Sequence, residues 1–121
     1  MATGRAAGVE LRLSSTSVDD GVFVVSVGGE IDLYSAPDLL KELRELADAG
    51  AQHLVVDLTE TSFIDSTGLG ILIAATKLLR LQGGELHVAG MHGVTERAIY
   101  AAGLHTFFTM SPSVDDALAK I

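Results

Sequence analysis

The chain contains no cysteine and no tryptophan. The lack of thiols excludes disulfides, thiolate zinc sites, iron–sulfur clusters and cysteine nucleophiles, and it fits a reducing compartment. Basic residues are scarce: 8 Lys and Arg stand against 16 Asp and Glu, for a net charge of −8. A general nucleic-acid binder needs a basic face, which this composition does not supply. An acidic surface also disfavours anionic membranes and suits a basic partner. No apolar run approaches the roughly 20 residues of a membrane-spanning helix. The longest, from Leu69 to Ala75, is interrupted by Gly70. Nor do residues 1–8, with one arginine and no apolar segment, read as a signal peptide. These absences predict a cytoplasmic protein that binds neither nucleic acid nor membrane.

What is present is enough for one domain with a core: 121 residues, 48% of them hydrophobic. Residues 1–8 are small and read as a frayed tail, leaving 9–121 as the domain. Val9, Leu11 and Leu13 alternate with Glu10 and Arg12, the pattern of a half-buried strand, and Ser14 to Gly21 reads as a polar turn. The β-branched run Val22 to Val27 completes a hairpin, closed off by Gly28-Gly29. Ser35, Pro37 and Asp38 form a helix start, with Ser35 as cap, and Leu39, Leu40, Leu43 and Leu46 recur at helical spacing up to Gly50. His53 to Leu58 reads as a mid-sheet strand, and Thr59 to Asp65 as a connection. A helix from Thr67 or Gly68 to about Gln82 is apolar nearly all round in its first half, which predicts burial. Glu85 to Ala89, Gly93 to Ala102, a short strand near Phe107 to Met110 and a terminal helix opened by Ser113 complete the chain. The order β-β-α-β-α-β-α-β-α predicts an α/β fold: a mixed sheet of four to five strands with about four helices.

Two segments carry the chemistry. Phe63-Ile64-Asp65-Ser66-Thr67-Gly68-Leu69-Gly70 brings an apolar pair to a strand end and then opens a helix, the place where functional groups gather in open α/β sheets. Ser66 falls at or beside the helix N-cap. As a cap it is a preferred residue; as a modified residue it sits where free N–H groups and the helix dipole favour an anion. Gly29-Glu30-Ile31-Asp32-Leu33-Tyr34-Ser35-Ala36-Pro37 likewise joins a strand end to a helix start. A tight turn with a capping box explains Gly29, Ser35 and Pro37 but neither Asp32 nor an exposed Tyr34, and an aromatic between carboxylates suits a protein contact. If the two strands run parallel as neighbours, both segments emerge on one rim.

Other motifs are missing. Gly68-x-Gly70 has Ile73 where a dinucleotide fingerprint needs its third glycine, no P-loop exists, and Ser66 lacks the frame of a hydrolase nucleophile. His53, His87, His92 and His105 have no metal-ligand spacing, and His53 and His87 read as edge or surface residues. No cofactor is implied, and no catalytic site.

Together, Gly29 to Pro37 and Phe63 to Gly70 resemble the STAS domain of bacterial anti-sigma factor antagonists of the stress-response and sporulation type, a likeness spanning about residues 9–120. The resemblance implies partner switching. The unmodified antagonist binds an anti-sigma factor that is also a GHKL-type serine kinase, releasing the sigma factor; the kinase phosphorylates the serine after the Asp, here Ser66, and a PP2C-type phosphatase reverses this. ATP and magnesium would belong to the kinase. By the same likeness Asp32 matches an acidic residue of the contact loop, and Asp65, Thr67, Gly68 and Leu69 surround the acceptor, with Thr67 a second candidate hydroxyl. Asp32, Tyr34, Ser35, Asp65, Thr67, Gly68 and Leu69 are thus the expected partner-binding set, on a monomer or weak dimer. A STAS module of another regulatory complex, or one binding a nucleotide or small ligand, is the alternative; an enzyme using Ser66 as nucleophile lacks a base nearby in sequence.

Overall fold

The computed structural model describes residues 10–121; the tail read over 1–8 lies outside them. The elements are β1 (Arg12–Asp19), β2 (Val22–Ile31), α1 (Ala36–Asp48), β3 (His53–Asp57), β4 (Thr61–Ile64), α2 (Ser66–Leu81), β5 (Glu85–Ala89), α3 (Gly93–Ala101), β6 (Thr109–Ser111) and α4 (Val114–Ala119), with a single 3-10 turn at Leu104–Thr106. The mixed α/β architecture and the four helices are those expected. The sheet runs β1-β2-β3-β5-β6, with β4 beside the far end of β2. Only β1 is antiparallel to its neighbour.

Three stretches differ from the sequence reading. The polar run Ser14–Asp19 is strand, not turn: it pairs with β2 as an exposed edge, where both faces meet water and no alternation is needed. Strand β2 does not stop at Gly28-Gly29 but continues to Ile31, because the Gly29 N–H bonds the Glu60 carbonyl at 3.1 Å and β4 supplies a ladder for its last residues. That ladder makes Thr61–Ile64, read as a connection, a sixth strand. Its register slips at Gly29/Glu30, so that Thr61 faces Gly29 while Phe63 faces Glu30.

The main core lies between one sheet face and α1, α2 and α3, where Val25, Val27, Leu39, Leu43, Leu54, Val56, Leu72, Leu79, Leu86 and Ile99 are fully or almost fully buried. On the other face Ala117 of α4 packs on Val24, Val55 and Ala89. The first half of α2 is not buried all round. Leu69, Leu72 and Ala75 turn inward, while Ser66, Gly70 and Ala74 are exposed. The helix has the sheet on one side only, so its opposite stripe meets solvent.

The histidine expectation also fails. His87 lies on interior strand β5 and is buried, and its Nε2 stands 3.1 Å from Nδ1 of His53 on β3. Strand order brings together rings that lie 34 residues apart. Burial, first of all, holds the His87 pKa below its ordinary 6.5.

Candidate functional site

Strands β2 and β4 run parallel and end side by side, with Ile31 opposite Ile64. The Asp65 N–H then bonds the Ile31 carbonyl at 3.1 Å. The loop after β2 and the start of α2 therefore meet on one rim, as the parallel arrangement requires.

Asp65, not Ser66, caps α2. Its backbone is extended, and its carboxylate accepts the Gly68 N–H at 2.9 Å. Ser66 is the first helical residue and is exposed; Thr67 is half-buried. Capping by Asp65 leaves the Ser66 hydroxyl outward, without a hydrogen bond to any described residue.

Gly68 and Leu69 sit beneath this surface. Leu69 is buried in the main core. A Cβ on Gly68 would lie 2.7 Å from side-chain atoms of both Ile31 and Ile64, so glycine is what lets the helix descend onto the paired strand ends. Both residues shape the rim from below, by packing on the strand ends and the main core.

The other half of the rim is a compact turn. The Asp32 carboxylate accepts the N–H groups of Tyr34 and Ser35, both at 3.0 Å. The Ser35 hydroxyl donates to the Glu30 carbonyl at 2.7 Å and accepts the Asp32 N–H at 2.9 Å. Ser35 therefore makes no side-chain cap to α1 and is 5% exposed. It ties the turn together from inside, a correction to its reading as a cap. The same turn explains Asp32 structurally. It also pushes its middle outward: Tyr34 is 76% exposed and Leu33 61%.

Of the expected contact residues, then, Asp32, Tyr34, Asp65 and Thr67 share the surface of one rim with Ser66, the expected acceptor. Sequence reasoning missed Leu33 and Phe63. Phe63, taken as the end of a buried element, is 40% exposed beside Glu30, because it directly precedes Ile64 on the strand and so faces away from the core that receives Ile64. Neighbouring segments 30–35 and 60–70 hold Glu30, Asp32, Glu60 and Asp65 and neither Lys nor Arg. The rim is acidic and studded with apolar side chains. Among the described residues no three His, Asp or Glu side chains converge as metal ligands would, and no helix is long and apolar enough to cross a membrane.

A family model described as STAS domain matches residues 14–117. An anti-sigma-B factor antagonist of Bacillus subtilis is 38% identical over 87 residues, covering 72% of this chain and 79% of the relative. One from Staphylococcus aureus is 34% identical over 89 residues, 74% of this chain and 82% of the relative. The crystal structure of an anti-sigma factor antagonist from Mycobacterium paratuberculosis superposes with a TM-score of 0.84 at 35% identity, covering 93% of this chain and 94% of that one.

Proposed function

Because the chain belongs to the STAS domain family, we propose that it is an anti-sigma factor antagonist worked by partner switching. Unmodified, it binds an anti-sigma factor that is also a GHKL-type serine kinase, so that the sigma factor is released. The contact surface is the rim of Asp32, Leu33, Tyr34, Phe63, Asp65, Ser66 and Thr67. The kinase transfers the γ-phosphoryl group of its ATP to the Ser66 oxygen, with loss of the hydroxyl proton and departure of ADP. A PP2C-type phosphatase hydrolyses the phosphoserine and restores the binding form. The protein itself has no catalytic role.

One observation carries this reading: Ser66 is the exposed first residue of α2, directly after an Asp65 cap, on an acidic rim with projecting apolar side chains. Its position answers two requirements. A phosphate there adds about −1.5 to −2 charges where the helix dipole and unused N–H groups favour an anion, so the fold tolerates it. The partner does not, because its surface meets new charge among existing carboxylates and must desolvate it. Thr67 is the weaker acceptor because it is half-buried.

Intact-mass analysis of the protein from its native cells, before and after phosphatase treatment, tests the reading. It expects one removable phosphate, mapping to Ser66. A phosphate on Thr67 would move the site, and none under any growth or stress condition would overturn phospho-switching.

A further inference from the structure

Of the described glycines, Gly70 has neither a positive φ nor any atom where a Cβ would stand. Seven adopt positive φ, where side chains are strained. Three more have close neighbours: a Cβ would come within 2.2 Å of the Gln52 carbonyl at Gly84 and 2.7 Å of Ile31 and Ile64 at Gly68, while at Gly28 it would displace the end of the flexible Arg12 side chain, 2.5 Å away. Gly70 lies inside α2 without a positive φ, and a Cβ placed on it would meet nothing within 4 Å. Glycine is the poorest helix former after proline. Alanine would fit and hold the helix better, so the fold has no use for glycine here.

The position explains what the fold does not. Gly70 is exposed and lies four residues after Ser66, on the same helix face one turn on. Exposed Ala74 continues that face. The face leads off the rim where Tyr34, Leu33 and Phe63 project from segments 30–35 and 60–70, which carry four acids and no Lys or Arg in their sequence.

Resting on the antagonist reading above, we propose that Gly70 is the close-approach point of the partner interface. The anti-sigma factor, presenting basic side chains to the acidic rim, seats its own backbone or a bulky apolar side chain against the bare α2 backbone at Gly70. This closeness brings its nucleotide site over the Ser66 hydroxyl. Gly70 is thus a specificity-determining residue: it sets how near a partner can come, and any side chain there holds the partner off.

The test uses the full chain, its Gly70→Ala and Gly70→Gln variants, and purified anti-sigma factor from the same organism, read by calorimetric titration and by phosphate transfer to Ser66. Free Gly70→Ala is expected to melt at the same temperature as the parent or higher, yet to bind about tenfold more weakly, and Gly70→Gln about a hundredfold or more. Phosphate transfer is expected to fall in parallel. A lower melting temperature for Gly70→Ala would make Gly70 structural and overturn the proposal. Parental affinity in both variants, with Tyr34→Ala and Ser66→Asp losing binding, would overturn it and leave the antagonist reading standing. An unsubstituted chain that does not bind would instead overturn the antagonist reading, and this proposal with it.

Discussion

The Asp65 carboxylate reaches over Ser66 and Thr67 to take the Gly68 N–H at 2.9 Å. That single bond divides two tasks between adjacent residues. Asp65 starts the helix, and Ser66, relieved of capping, turns its hydroxyl outward. A serine that capped the helix would risk a helix bond on modification; a modified Ser66 would leave the cap bond of Asp65 in place.

Ser66 variants separate binding from folding. Ser66→Ala is expected to bind the anti-sigma factor as the unmodified chain does and to resist release by ATP. Ser66→Asp is expected to bind about a hundredfold or more weakly, with a melting temperature close to that of the parent, since a carboxylate suits the first helical turn. Titration and thermal melts together check this. Equal affinity for all three chains would refute the switch.

The two exposed aromatic residues of the rim predict contact energy without core energy. Tyr34→Ala removes a side chain that is 76% exposed and Phe63→Ala one that is 40% exposed. Tyr34→Ala is expected to change stability by no more than about 0.5 kcal/mol, and Phe63→Ala by little more. Each is expected to weaken partner binding by about tenfold or more, as truncated aromatic anchors do. Urea unfolding and binding titrations measure the two effects. Loss of stability without loss of affinity would place these side chains outside the interface.

Gly68 behaves oppositely to Gly70. Gly68→Ala forces a methyl group to within 2.7 Å of Ile31 and Ile64 side-chain atoms and 3.0 Å of the Ile31 carbonyl. The helix start has to shift away from the strand ends, at a cost of about 1–3 kcal/mol. Denaturant titration is expected to show that loss for Gly68→Ala and none for Gly70→Ala.

His87 predicts a pH dependence. Burial lowers its pKa below 6.5; the His53 ring and Lys120 lower it further, and Glu85 acts the other way. The unfolded imidazole therefore takes up a proton before the folded one does. Stability falls as pH drops below about 6.5, and the loss is complete below the folded value. Glu85 is held below 4.5, chiefly by its hydrogen bonds from Arg80 at 2.9 and 3.0 Å, so its own loss comes only at lower pH. Melting temperatures measured from about pH 7 to pH 5 are expected to fall less steeply for His87→Gln than for the parent. Parallel curves would show that the imidazole is not the source.

Much of the architecture was legible because it rests on local rules. Alternation, glycine stops and the apolar spacing of Leu39 and Leu43 mark the order of strands and helices. The step from Ile64 through Asp65 to Gly68 marks a strand end followed by a helix start. Four residues of β4 were not legible, because so short a strand exists only where β2 offers it a ladder. Neither was the burial of Ser35: a serine before a proline-bearing helix looks like a cap, and only the folded turn shows its hydroxyl engaged with Glu30 and Asp32.

The sequence by itself determined the family, the class of fold and the segment in which a strand end passes through Asp65 and Ser66 into a helix. Those follow from residue type and spacing along the chain, which need no partner strand to be read. Only the tertiary structure decided which side chains face outward on the rim. Phe63 points to solvent because β4 forms beside β2 and buries the next residue, Ile64, on its inner face; His87 is buried because β5 lies between β3 and β6. Gly70 stands apart from the other glycines because nothing approaches it. Each of these depends on what lies, or does not lie, across from a residue in space, and residue spacing along the chain does not record that.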